Sequence, residues 1–445
     1  MNFEQIKKIL FREAKKAGLS EFDVYFRMSS ESAAEALNRE LSSFSSGTVG
    51  GVSFRCTVDG RLGSAATQCL QEAELCALVP RAVANATVID TDEQPIFFEG
   101  SAHYQAPTAV LPDIPDAAEL RRAVLALQEE LYAASDRVTD GTSSAAGGAM
   151  TEVSIANSKG LLLSHRMGMT YTYAEAVVKE GEEAAYGTSF GKMPLSDACA
   201  LSHKAVDEAL SKLGAGNVKT GKYDVIFSAR QVRTLLAAFS GVFSGKNALL
   251  GLSLLRGKEG SAVAAPCLSL VDDPFYAENT VQLPFDAEGV AVFEKKVIDK
   301  GVLQTLLYDL TTAKKAGCAT TGNAQRGSYA DPISIAPYCL RVEGGVYTPE
   351  ELRARLGDGL YITELKGLHA GADAVTGDFS IESAGFLVKN GALAAPVHSF
   401  TVAGNFFELL RAVDGVADNV EMGMSSLSCI AAPDLLVRGL SVAGE

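Results

Sequence analysis

The chain has 445 residues, of which 47% are hydrophobic and 21% are charged. These values are typical of a soluble globular protein with two or three domains. The formal net charge of −15 argues against a nucleic-acid partner, because such proteins place Lys and Arg in excess. No run of 18 apolar residues is present to span a bilayer, so no membrane partner is expected.

The first residues predict a docked amphipathic helix, because Phe3, Ile6 and Leu10 recur at helical spacing. Lys7 and Arg12 are incompatible with the apolar core of a secretion signal. The eight cysteines form no C-x-x-C pair, and most have apolar neighbours. They predict buried free thiols and a cytoplasmic location, where thiols stay reduced.

Two successive modules are predicted to share a hairpin-then-helix layout. In the first, strand-like segments flank a turn at Gly60, and residues 70–86 have a helical pattern. In the second, similar segments flank a turn at Gly181, and residues 195–213 have a helical pattern. The two turn glycines lie 121 residues apart, which indicates a repeated unit.

Composition divides the chain into three parts. Residues 90–118 contain several prolines among polar residues and predict a linker, and residues 214–222 form a second break. We therefore predict an N-terminal α+β module at residues 1–105, a second hairpin-helix module at 115–213, and a C-terminal domain at 222–445.

The C-terminal domain is predicted to be rich in β-structure. Residues 229–255 have a long helical pattern interrupted by glycines, and short strand patterns follow, two of them joined by an N-G turn at Asn390. Hairpins outnumber strand–helix–strand crossovers. The predicted fold class is therefore α+β, with two hairpin-plus-helix modules and a larger, mostly antiparallel C-terminal domain that carries a long helical segment.

The sequence predicts no metal or nucleotide site. None of the five histidines lies within a helical turn of another. His203 and Asp207 have the i, i+4 spacing of metal ligands, but a solvated helix face is the more common use of such a pair. Residues 241–247 nearly match a phosphate-binding loop, but the spacer is one residue short and Asn247 replaces the hydroxyl. A kink for close packing is favoured there.

A serine hydrolase is a further hypothesis. Residues 187–191 match G-x-S-x-G, Ser189 with Lys192 matches S-x-x-K, and residues 219–221 match K-T-G. A nucleophile elbow requires a helix directly after the turn, whereas Pro194 intervenes here. Short matches of this kind also arise by chance.

Four blocks in the last domain occur in a characteristic order. They are VDDP (271–274), PFDAEGV (284–290), residues 295–327, and GADAVTGDFSIESAGFLVKNGALAAPVHSFTVAGNFFELL (371–410). Together they resemble the TldD/TldE (PmbA) family, bacterial proteins that act as a paired metallopeptidase. In the TldD half, a helix carries H-E-x-x-x-H, and this sequence has no such motif. The resemblance is therefore to the TldE/PmbA-type half.

The resemblance implies no catalytic or metal residue in this chain. The stretch that matches the zinc helix, residues 239–260, offers Ser, Gly, Asn and Leu where the active half has two His and a Glu. Cys429 resembles a cysteine ligand of the TldD half, but it has no motif to complete the site and is interpreted as core. A metal-bound water cannot be held and activated without such ligands. Zinc is expected only in a TldD-type partner.

The resemblance also implies a peptide groove. Family members are understood to thread an unfolded peptide through a cleft between two subunits and to hold it by strand addition. The predicted groove residues, which lie in the strongest blocks, are Ser383, Gly385, Phe386, Gly404 and Asn405. The alternative interpretation is that the glycines at these positions only shape turns and bulges.

Two further functions remain open beside the serine hydrolase. The first hypothesis is a non-catalytic TldE/PmbA-type subunit of a heteromeric zinc metallopeptidase that cleaves unfolded peptides and requires a TldD-type partner. The alternative is a stand-alone homo-oligomeric peptide-binding protein. The family's older label, modulator of DNA gyrase, implies a link to nucleic acid, which the net charge of −15 does not support.

Overall fold

The computed structural model describes residues 1–88 and 95–445. The two N-terminal modules together build one antiparallel sheet, because the first strand of each module pairs with the other. In chain order the strands are β1 (Phe22–Leu37), β2 (Glu40–Val58), β3 (Arg61–Thr67), β4 (Ser143–Asn157), β5 (Leu162–Glu180) and β6 (Glu183–Gly191). Their spatial order is β3-β2-β1-β4-β5-β6, so β3 and β6 are the edges.

Each module consists of a helix, three strands and a second helix. The helices are α1 (Phe3–Lys16), α2 (Glu72–Val88), α3 (Ala117–Ala134) and α4 (Ala198–Ser211). Both predicted hairpins are confirmed, since Val58 pairs with Arg61 and Glu180 pairs with Glu183. The predicted first helix is confirmed as well, and its apolar stripe is buried against the sheet. Among the described helices, none combines the length and the apolar character needed to cross a membrane.

The C-terminal domain contains two larger sheets and several short helices. Its helices are α5 (Ala229–Phe239), α6 (Gly245–Leu249), α7 (Leu310–Ala316), α8 (Pro349–Leu356), α9 (Leu368–Gly371) and α10 (Phe406–Ala412). Its strands are β7 (Gly221–Phe227), β8 (Leu270–Asp272), β9 (Lys295–Asp299), β10 (Val302–Leu303), β11 (Ala324–Gln325), β12 (Ser334–Ile335), β13 (Cys339–Val342), β14 (Gly359–Lys366), β15 (Asp378–Lys389), β16 (Ala392–Asn405), β17 (Val413–Val416), β18 (Glu421–Met422), β19 (Cys429–Ala432) and β20 (Leu435–Ala443).

One C-terminal sheet closes on itself. Its order is β16-β15-β14-β7-β20-β17, and an additional pairing of β16 with β20 completes a ring of five strands. Within this sheet, β7–β14 is the one parallel ladder among the described strands, and the other ladders are antiparallel, which confirms the mostly antiparallel prediction. The rings of Phe239 and Phe406 stack at 4.5 Å in the core of this domain. The other sheet has the order β10-β9-β8-β13-β19-β18, so β18 is an edge strand.

The predicted long helical segment is shorter than expected. Helix α5 ends at Phe239, a 3-10 turn follows, and α6 has five residues. At Gly245 an added Cβ would lie 2.2 Å from the ring of Tyr308, so this glycine permits close packing. Asn247 donates its side-chain amide to the carbonyl of Gly241 at 2.9 Å. The near match to a phosphate-binding loop is thus a packed turn.

The linker connects the two N-terminal modules, and part of it contacts the C-terminal domain. Residues 90–94 of the predicted linker lie outside the described residues, and residues 95–115 contain neither helix nor strand. The hydroxyl of Tyr104 donates to the carbonyl of Gly289 at 2.7 Å. A buried apolar cluster that includes Ile155 of the sheet and Phe285 of the C-terminal domain packs the two bodies together.

Candidate functional site

A cleft of about 1040 Å³ lies between the N-terminal sheet and the C-terminal domain. Strands β5 and β6 form one wall, helix α5 forms a second, and the segment containing β18 and β19 forms a third. The lining combines aromatic and apolar side chains, such as Phe190 and Met422, with a few charged groups. Such a mixture suits an extended ligand that has both apolar and polar parts.

Helix α5 presents a polar face to the cleft and an apolar face to the core. The cleft face has the i, i+3, i+4, i+7 spacing of a single helix side, and its residues are Arg230, Arg233, Thr234 and Ala237. The opposite face is buried in the C-terminal core, and its residues include Val232, Leu235, Leu236 and Phe239. This segregation fixes which side chains of α5 can meet a ligand.

Arg230 is held by the protein itself. Its guanidinium donates to the carboxylate of Glu208 at 3.0 and 3.3 Å and to the carbonyl of Thr188 at 3.3 Å. The interaction ties α5 to both α4 and the edge strand β6. The charge of Arg230 is therefore largely neutralised before any ligand arrives.

Arg233 lies one turn further along α5, and its guanidinium is not paired as that of Arg230 is. Its Nε is buried, and the described residues offer the guanidinium neither a hydrogen bond nor an ion pair. Burial lowers the pKa of Arg233; the carboxylate of Glu421 partly offsets this effect, and the nearby positive charge of Arg230 adds to it. A partly buried cation without a hydrogen-bonded counter-ion is costly, so this side chain is prepared for an anionic group.

The backbone of β6 also faces the cleft. The N–H of Thr188 points outward from the sheet and donates to Glu208 at 3.2 Å. Because ladder hydrogen bonds alternate along an antiparallel strand, the N–H and C=O of Phe190 point the same way. The ring of Phe190 is 51% exposed. An edge strand of this kind can pair with an added strand at this point.

Cys429 lies in the cleft wall. It is 5% exposed and is the cross-strand neighbour of Cys339 in the parallel β13–β19 ladder. A hydrogen bond with Cys429, together with burial, raises the pKa of Cys339 above its usual range. The cysteine prediction is wrong for Cys199, Cys267 and Cys318, which are exposed on the surface because they lie outside the packed faces of their segments.

The five predicted groove residues lie on one hairpin but in two places. Ser383 and Gly385 line a smaller pocket of about 240 Å³ between the start of β6 and the β14–β16 strands. An added Cβ at Gly385 would lie 2.0 Å from the carbonyl oxygen of Tyr361, where the ladder shifts register. Phe386, the next residue of β15, is partly buried and pairs with Tyr361 and Pro396.

Gly404 and Asn405 lie at the other end of the hairpin. The side-chain oxygen of Asn405 accepts from the backbone N–H of Phe407 at 3.0 Å, which caps α10. Its amide donates to the carboxylate of Asp378 at 2.9 Å. Neither residue lines the large cleft or the smaller pocket.

Ser189 does not offer an accessible nucleophile. It lies within β6, is 1% exposed, and donates its hydroxyl to the carbonyl of Leu201 at 2.6 Å. A nucleophile elbow would place it on a sharp turn after the strand. The structure therefore gives Ser189 a packing role between β6 and α4.

The cleft does not fit a catalytic zinc ion. Its lining residues include only Glu278 and Cys429 as candidate ligand types, whereas such a site usually has three protein ligands. Among residues 1–88 and 95–445, the only group of three candidate ligands within 4.8 Å of one another is Glu130, Cys199 and His203. These side chains lie on α3 and α4 outside the cleft. His203 thus neighbours Cys199 and Glu130 in this cluster.

Sequence patterns missed the residues that define the cleft. Arg233, Phe190, Met422 and Gly423 belong to segments that are distant in the chain. The helical spacing of Arg230 and Arg233 was a usable signal for a shared face. Nothing in the sequence indicated that one arginine is paired and the other is not.

Three family models match consecutive parts of the chain. They describe domain 1, the central domain and the C-terminal domain of the PmbA/TldA metallopeptidases, and they match residues 22–86, 111–213 and 220–444. A metalloprotease PmbA homolog of Haemophilus influenzae is 27% identical over 368 residues, which cover 81% of this chain and 79% of the relative.

Solved structures have the same fold over the whole chain. A proposed modulator of a DNA gyrase from Thermotoga maritima MSB8 superposes with a TM-score of 0.89 at 30% identity, covering 99% of this chain and 100% of the other. TldE from Thermococcus kodakarensis superposes with a TM-score of 0.88 at 22% identity, again covering 99% and 100%. At the latter identity the likeness concerns the fold alone.

Proposed function

The chain belongs to the PmbA/TldA metallopeptidase family, and from this premise we propose that it is a non-catalytic, TldE-type subunit of a heteromeric zinc peptidase. A TldD-type partner would carry the zinc and perform the hydrolysis. This chain would bind the unfolded peptide substrate and complete the chamber in which it is cleaved.

The composition of the cleft face of α5 carries the proposal. A metallopeptidase helix would direct two imidazoles and a carboxylate at the substrate. The helix that lines this cleft, α5, ends at Phe239, where the stretch that resembles the zinc helix begins, and its cleft face offers Arg230, Arg233, Thr234 and Ala237. These groups can bind and orient a peptide, but they cannot hold a metal ion and activate its water.

Peptide binding is supported by the two kinds of groups that meet in the cleft. The outward backbone groups of Phe190 suit strand addition, which depends little on side-chain sequence. The exposed ring of Phe190 and the side chain of Met424 supply apolar contact area. We propose that Ser383 and Gly385 lie along a second stretch of the peptide path, beside the start of β6.

The test is purification of the tagged full-length protein from its native cells, followed by mass spectrometry, zinc analysis and a peptidase assay. We expect a stoichiometric partner that contains H-E-x-x-x-H. Hydrolysis of an unstructured peptide should require both chains, and zinc should accompany the partner. Hydrolysis by this chain alone would contradict the proposal.

A matched control is needed because Glu130, Cys199 and His203 could retain stray zinc at the surface. Zinc analysis of the His203→Ala variant removes that contribution. Zinc that persists in the isolated variant would point to another metal site in this chain. Zinc lost with His203, without any change in hydrolysis, would leave the subunit assignment intact.

A homo-oligomeric peptide-binding protein without a peptidase partner is the second candidate. The same cleft would serve it, because binding requires no metal. Recovery of a metal-free assembly of this chain alone, still able to bind unstructured peptides, would establish that alternative.

A further inference from the structure

We propose that Arg233 binds a carboxylate group of the peptide that occupies the cleft. The inference rests on the proposed peptide-binding function and adds the chemical group that is recognised. It also assigns the position in the cleft at which recognition occurs. Arg233 would fix either the position at which the peptide ends or the register in which the peptide pairs with β6.

The charges in the cleft support an anionic ligand. Lys192, Arg230 and Arg233 line it, against the lining carboxylate of Glu278 and the nearby carboxylate of Glu421, in a chain whose net charge is −15. Arg230 is already paired with Glu208. Lys192 donates to the carbonyl of Glu278 at 3.4 Å. Arg233 is the lining cation left unpaired among the described residues.

The geometry leaves space for the guanidinium and its ligand. At Gly423 an added Cβ would lie 2.8 Å from a terminal nitrogen of Arg233, so a larger residue here would make the guanidinium move from its present position. The neighbouring walls carry Met422 and Thr234, and the nearby carboxylate of Glu421 forms no ion pair with Arg233 among the described residues. A guanidinium in such a setting can donate two parallel hydrogen bonds to a planar carboxylate.

A peptide explains the site better than a phosphate-bearing polymer. The outward backbone groups of Phe190 lie in the same cleft and match a peptide backbone in the extended conformation. The carboxylate can come from the C-terminus of the peptide or from an Asp or Glu side chain. Both sources present the same group to Arg233, and peptides of defined composition separate them.

The experiment measures binding by the full-length protein in the assembly in which it purifies. The probes are a short labelled Gly-Ser-Tyr peptide with a free C-terminus, its C-terminal amide, and the amide with one internal Asp. We expect the free acid to bind about tenfold more tightly than the plain amide, because only the acid can form a charge-assisted hydrogen-bonded pair with Arg233. Binding of the Asp-containing amide at the level of the acid would identify the side chain as an equally good source.

Variants assign the preference to Arg233. In Arg233→Gln the acid and the amide should bind equally, and Arg233→Lys should retain part of the preference. Gly423→Ala, which keeps the arginine but crowds it, should also reduce the preference. The control is Arg81→Gln, because Arg81 lies on α2 outside the cleft and pairs with Glu74 at the surface.

Two results would overturn the inference. Equal binding of acid and amide by the wild type would exclude carboxylate recognition while leaving peptide binding intact. A preference that survives in Arg233→Gln, with an unchanged melting temperature, would place the recognition elsewhere. Failure of every peptide to bind the wild-type assembly would instead contradict the proposed function itself.

Discussion

The carboxylate of Asp434 accepts a hydrogen bond from the backbone N–H of Ala229 at 2.7 Å, across 205 positions of sequence. Ser228 occupies the N-cap position of α5 but makes no side-chain capping bond. Asp434 also accepts from Asn419 at 3.1 Å and from the hydroxyl of Tyr361 at 3.1 Å. The start of the cleft helix is therefore fixed by the loop before the last strand.

Replacing Asp434 by Ala should destabilise the protein by about 3 kcal/mol, because it leaves several buried donors unpaired. Asp434→Asn keeps an acceptor for Ala229 and should cost less. As a control, Asp116→Ala removes an exposed local cap of α3 and should cost about 1 kcal/mol. Urea denaturation measures all three. An Asp434→Ala variant as stable as Asp116→Ala would show that the network does not hold α5.

The outward backbone of Phe190 predicts a difference between two substitutions at one position. Phe190→Pro removes the N–H that faces the cleft, whereas Phe190→Ala removes only the ring. If the peptide adds to β6, the proline variant should bind an unstructured peptide roughly fivefold more weakly than the alanine variant, as loss of one hydrogen bond implies. Fluorescence anisotropy measures both affinities. Equal affinities would exclude pairing at this position.

Local patterns predicted the parts of the fold that depend on local chemistry. The turns at Gly60, Gly181 and Asn390 each need residues that accept positive φ, and each one is found where it was expected. Strands β1 and β4 were not predicted, although β1 begins with the β-favouring residues FDVYF; the Ser and Ala residues in the second half of β1 and the Ser, Ala and Gly residues of β4 carry little β-propensity. Pairing between these two strands supports them instead.

The cleft itself could not be predicted from local sequence patterns. Its walls are β6, α5 and the β18–β19 segment, which are brought together only by packing between domains. The family blocks directed attention to the β15–β16 hairpin, where Asn405 caps a helix and Gly385 allows a register shift. Peptide contact by these hairpin residues stays a prediction.

The outer part of β2 predicts where a second chain binds. Residues 40–49 are all exposed, including Leu41 at 42% and Phe44 at 47%, and β3 pairs only with residues 52–58. An open, partly apolar strand edge invites pairing with another chain. Under the proposed function, we predict that the TldD-type partner binds this surface.

The double variant Leu41→Glu, Phe44→Glu should therefore lose the partner. Its own stability should change by less than about 0.5 kcal/mol, because both side chains are already exposed. Light scattering after size exclusion measures the assembly. The control is Val346→Glu, which adds charge at another exposed apolar side chain. Retention of the partner by the double variant would place the interface elsewhere.

A buried charge cluster couples the N-terminal sheet to the C-terminal domain. Asp286 is fully buried and accepts from the backbone N–H groups of Glu288 and Val290 at 2.9 and 3.0 Å. Glu288 accepts from the N–H of Leu310 at 2.8 Å. Burial raises the pKa of both carboxyls, and the Asp286 charge raises the pKa of Glu288 further, while Arg55 partly opposes this effect.

These raised pKa values predict how stability depends on pH. When the folded state has the higher pKa, it binds more protons than the unfolded state, so the free energy of unfolding falls as pH rises. The loss begins near the ordinary carboxyl pKa of about 4 and continues up to the raised folded values. Glu288→Gln imitates the protonated form and removes one part of this dependence.

Wild type and Glu288→Gln should therefore have similar stabilities at about pH 4.5, and the variant should become relatively more stable as pH rises toward 8. Urea denaturation across this pH range measures the difference in free energy of unfolding between the two proteins. Carboxyls elsewhere whose pKa is lowered, such as that of Asp414, contribute equally to both proteins and cancel in this difference. The control is Glu31→Gln, at an exposed position of β1. A Glu288→Gln protein that loses stability relative to wild type as pH rises would mean that Arg55 and Arg326 outweigh burial and keep Glu288 ionised in the folded state.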